Sequence, residues 1–153
     1  MATNQGNWNS SLNQLENLLA EYLHKKAPAL PTGVKEAIVK FAPWITAILL
    51  ILTLPVLLAI LGLGALLAPF SFFGGIQAGT NYIVTLVFSG IQLVLEAMAI
   101  PGLFARSKKG WTLAYYATLV GGVQNIVTFN IGGLLIGTLL SLYLLFQIRE
   151  YYK

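Results

Sequence analysis

Two hydrophobic patterns divide the chain. Between Ser10 and Lys26 the leucines recur at helical spacing, with Leu12, Leu15, Leu19 and Leu23 in one row and Leu18 and Tyr22 widening it. That periodicity predicts an amphipathic helix over residues 10–26. Beyond Lys40 the alternation stops. Residues 41–105 carry a single charged side chain, Glu96. The uninterrupted apolar run from Phe41 to Pro69 would extend about 43 Å as a helix, against roughly 30 Å for the hydrocarbon core of a bilayer. The pattern predicts four spanning helices, at about residues 43–67, 81–104, 111–129 and 134–152.

Punctuating residues set the remaining boundaries. The Asn-rich residues 1–9 are expected to be disordered, and Ser10 or Ser11 to cap the amphipathic helix. Pro28 and Pro31 are expected to stop it. Thr32 to Phe41 offers a second short amphipathic turn. Ala68 to Thr80, with its proline and glycines, reads as an apolar loop. Pro101-Gly102 is a candidate early end for the second span. Arg106 to Gly110 forms a tight basic loop and Asn130 to Gly133 a short turn. The chain therefore divides into an N-terminal region, residues 1–40, and a helical domain, residues 41–153. The fold class is an all-α integral membrane protein, a four-helix transmembrane bundle preceded by a cytoplasmic amphipathic helix.

Charge placement orients this arrangement. The nine Lys and Arg residues all flank apolar runs, at 25–40, 106–109 and 149–153. With four spans these clusters fall on one face, and the two opposite loops carry no charge. The positive-inside rule then puts both termini in the cytoplasm, in a bacterial-type plasma membrane. Trp44, Trp111, Tyr151 and Tyr152 fall at the basic ends of spans, where interfacial aromatic anchors belong. The net charge of +4 is explained by these flanks, so nucleic acid is not an expected partner; the lipid bilayer is.

Catalysis is not expected. The chain has no cysteine, no aspartate and one histidine, His24, which leaves no catalytic triad and no cofactor or metal site to assemble. The chemistry that remains is intramembrane polarity. Thr85, Ser89, Gln92 and Glu96 share one face of the second span at spacings of four, three and four residues. Thr118, Gln124 and Asn125 supply polar positions on the third. An ionised acid at a span centre costs about 2.5–3.5 kcal/mol on insertion scales, so Glu96 should face protein or water. It could pair with Arg149 or Arg106 reaching from the same end, or act as a protonatable site. Gly133, Gly137 and Ser141 form a small-residue stripe suited to close helix packing. The leading expectation is an accessory or scaffold subunit working through a homo-oligomer or a membrane-protein partner. The alternative is a small oligomeric transporter or channel protomer using the polar seam around Glu96.

Overall fold

The computed structural model describes residues 3–153, with side chains from Asn7 onward. Every regular element among the described residues is helical. The order is α1 (Thr3–Ala20), α2 (Thr32–Ser71), α3 (Ile76–Phe104), α4 (Lys108–Val127) and α5 (Gly133–Gln147). A wide π-helical turn, Glu21–Lys26, extends α1, and another, Gly133–Leu139, opens α5. Two segments are long and apolar enough to cross a membrane: Thr32–Gly74 and Ile76–Phe104. Within the most apolar stretch of each, 0% and 6% of residues are buried, the opposite of a soluble core helix.

Several boundaries differ from the sequence reading. Helix α1 starts at Thr3, inside the stretch expected to be disordered; Met1 and Ala2 lie outside the described residues. Ser10 and Ser11 do not cap it. Both hydroxyls donate backwards to the Asn7 carbonyl at 2.8 Å, a local bond that lets serine sit inside a helix. The expected short turn at 32–41 and the first span are one continuous helix of 40 residues, with Pro43, Pro55 and Pro69 inside it.

The expected loop at 68–80 shrinks to one extended turn. Helix α2 runs to Ser71, Phe72–Gly74 makes a single 3-10 turn, and α3 begins at Ile76. Within this turn only Gly75 takes a positive φ, of 100°. Glycine meets that requirement without the Cβ strain other residues carry. Pro101 does not end α3 early either; the helix continues to Phe104.

Each long helix packs chiefly on its chain neighbour: α2 on α3, α3 on α4, and α4 on the first turns of α5. Glycines bring α3 and α4 together most closely. A Cβ on Gly102 would lie 2.5 Å from the Gly110 Cα. The same register brings Gln92 against Gly121. Carried forward, it ends α4 level with about Leu86, a third of the way along α3. The far third of the α2–α3 hairpin, where Leu66, Phe73 and Ile76 are 72%, 86% and 82% exposed, therefore projects past α4 and α5.

The core lies at the opposite, basic end. Trp111, Tyr115 and Phe146 are fully enclosed. Trp111 and Tyr115 stack at 5.5 Å, and Phe146 meets both edge-on at 5.4 and 5.7 Å. Such pairs contribute about 0.5–1.5 kcal/mol beyond their buried area. Val39, Ala99, Leu103, Leu142, Ile148 and Tyr152 complete the cluster, and Leu19, Ala20 and Leu23 bring α1 onto it. Leu19 and Leu23 of the leucine stripe thus have an intramolecular partner, while Leu15, Leu18 and Tyr22 stay exposed.

Candidate functional site

The seam on α3 faces inward, as its spacing implies. Ser89, Gln92 and Glu96 line a chamber of about 270 Å³ together with Thr118, Gln124 and Asn125 of α4. Helix α5 lines another side with Gly137, Thr138 and Ser141, and Gly121 completes the α4 wall. Every wall residue is either a glycine or carries a hydroxyl, amide or carboxyl group. Thr85, one turn further along α3, is partly buried but outside the chamber. Six of the seven seam residues are therefore brought together.

Local contacts hold the walls in place. Gln92 Nε2 donates to Glu96 Oε1 at 3.0 Å along the helix. Asn125 Nδ2 donates to Thr138 Oγ1 at 3.3 Å, joining α4 to α5. Gly121 leaves room for the Gln92 amide, which lies 3.2 Å from where a Cβ would sit. Gly122 does the same for the Thr138 methyl, at 2.8 Å.

Glu96 is the hinge of the site in space. Besides the polar chamber, it walls two other cavities. One, of about 390 Å³, lies among all four long helices and is mostly apolar, with Ile38, Ala42, Leu103, Ala114 and Leu145 on its surface. The other, of about 420 Å³, runs between α2 and α3 past Leu50, Thr53, Leu57 and Leu93. These spaces lie beside α2 because that helix packs chiefly on α3 and makes few contacts with α4 and α5.

The proposed ionic partners of Glu96 are engaged elsewhere or not in contact. Arg149 forms an ion pair with Glu16 of α1 and lies 5.3 Å over the Trp111 ring. Arg106 sits in the turn after α3 at φ 50°, where its carbonyl accepts from the Lys153 N–H at 3.2 Å. Among the described residues no cation lies within ion-pair distance of Glu96.

The small-residue stripe of α5 separates into different environments. A Cβ on Gly133 would collide with the Asn125 amide oxygen, so this residue does sit at a close approach. Gly137 meets nothing within 4 Å; with Ser141 it lines the chamber. The aromatic positions also divide. Trp44 is 59% exposed and packs edge-on against Phe104 at 5.1 Å. Trp111 and Tyr152 are core residues, 1% and 5% exposed, and not outward-facing anchors. The close approach at Gly102 and Gly110 draws the first turn of α4 inward, and Trp111 Nε1 donates to the Leu145 carbonyl at 2.8 Å. Tyr151 is half-buried beside it.

Sequence reasoning missed Gln147. It is fully buried; Nε2 donates to the Leu23 carbonyl at 2.9 Å and Oε1 accepts from the Leu30 N–H at 3.2 Å. Tyr143 donates to the Pro28 carbonyl at 2.6 Å, and Lys35 Nζ lies 3.2 Å from Glu150 Oε1. The only sequence signal was an amide in an otherwise apolar last helix. Compared with known protein families, curated proteins and solved structures, the chain matches none of them.

Proposed function

We propose that this chain is a four-span integral membrane protein, with both termini cytoplasmic, that binds a proton or small cation at Glu96 as the protomer of a small transporter or channel. One observation carries the reading: a carboxyl group with no cationic partner in contact among the described residues stands where three cavities meet, one of them walled by polar groups and glycine. In lipid such a group is costly and is retained where water, protein or a ligand receives it. The clustering of all nine basic residues at one end supports the orientation. Helix α4 is less apolar than α2 and α3, and three of its polar residues, Thr118, Gln124 and Asn125, line the chamber.

The test is flux. The full chain, reconstituted in lipid vesicles with an internal pH dye, should admit protons above the level of empty vesicles under an imposed gradient. Glu96→Gln should abolish the excess. Equal, background-level flux for both proteins would sink the proposal.

A second reading is favoured by the projecting tip of the α2–α3 hairpin. Its apolar surface is exposed and lies beyond the reach of α4 and α5. A second copy or a membrane-protein partner covering it would make the chain an accessory or scaffold subunit. Mass determination after purification in mild detergent decides: a bare monomer counts against this reading.

A further inference from the structure

We infer that the ligand held at Glu96 is an organic monocation with an apolar body, its charged head beside the carboxylate and its body in the cavity between α2 and α4. This rests on the reading of Glu96 as the working site. Two features point to it. The first is charge: Glu96 has no ion-pair partner among the described residues. One positive charge neutralises it, whereas a divalent ion would leave an excess in apolar surroundings.

The second is the character of the space. The cavity of about 390 Å³ falls in the size range of small-molecule sites, and its surface is apolar with a few polar groups at one side. Two half-buried alanines on its surface leave it open: Ala42 of α2 and Ala114 of α4. Larger apolar side chains at these two positions would occupy the groove beside Glu96. An alkali ion would use the polar chamber alone and leave this larger space without a role. An organic cation uses both, with Thr118 and Ser141 on the shared wall between cavity and chamber.

The experiment is equilibrium binding of radiolabelled benzyltrimethylammonium, a cationic head on an apolar ring, to the full chain in mild detergent. Sodium and potassium are tested as competitors, and Glu96-dependent proton flux is followed in parallel. Saturable binding is expected, weakened about tenfold or more by Glu96→Gln, the scale of losing a contact to a charged group. Ala42→Phe, which fills the cavity without touching the carboxylate, should weaken it too. Ala114→Val replaces that variant if its thermal midpoint shows that it does not fold. No saturable binding, or binding indifferent to Glu96→Gln, overturns the inference. If Glu96-dependent flux persists without probe binding, or sodium or potassium displaces the probe at equal charge, the ligand class falls and the site stands. Loss of both flux and probe binding removes both.

Discussion

Gln147 of α5 and Leu23 of the α1 extension are joined by a hydrogen bond of 2.9 Å, although 124 residues separate them. The same amide accepts from Leu30, so one buried side chain satisfies backbone groups on both sides of the turn leading into α2. Replacing it with leucine keeps the volume but strands a donor and an acceptor. Gln147→Leu should therefore cost about 1–3 kcal/mol. The thermal midpoint should fall, and proteolysis should become faster within residues 27–31. An unchanged cleavage rate there would show that Tyr143 and the Lys35–Glu150 pair hold the segment alone.

Glycine substitutions should divide sharply by position. Gly102→Ala drives a methyl into the Gly110 backbone, which cannot rotate away. The penalty should be about 1–3 kcal/mol, as for overpacking elsewhere. Gly137→Ala points into the chamber with nothing within 4 Å, so it should be neutral or gain up to about 1 kcal/mol of helix propensity. Thermal midpoints of the two variants in one detergent test the contrast. A loss at Gly137 equal to that at Gly102 would place Gly137 in a contact between copies.

The absence of cysteine makes topology directly measurable. Single replacements Ser107→Cys and Asn130→Cys lie at opposite ends of α4. In intact cells, a thiol reagent that cannot cross membranes should label Asn130→Cys and spare Ser107→Cys until the cells are opened. Labelling of both from outside would overturn the four-span orientation.

Helical phase was the part of the site legible in the amino-acid order. Ser89, Gln92 and Glu96 lie three and four residues apart, so any helix through them puts them on one face, whatever its neighbours. Boundaries were less legible because proline can kink a helix without ending it. Pro43, Pro55 and Pro69 sit inside α2, and only Gly75 among the glycines of the supposed loop needs its conformational freedom. Whether Trp111 faces outward or inward depends on how closely α3 approaches, which Gly102 and Gly110 decide from two different helices. The partnership of Gln147 with Leu23 and Leu30 has no local trace at all, since it arises only once α5 has folded back.

The unequal length of the two hairpins has a mechanical consequence. In a bilayer the molecule would be a wedge, tall along α2 and α3 and low along α4 and α5. Lipid on the tall flank would be stretched and lipid on the low flank compressed, at a modest cost per ångström of mismatch. Two such wedges set tall side to tall side would relieve that strain without any specific contact. Membrane thickness itself would then act on how these chains gather.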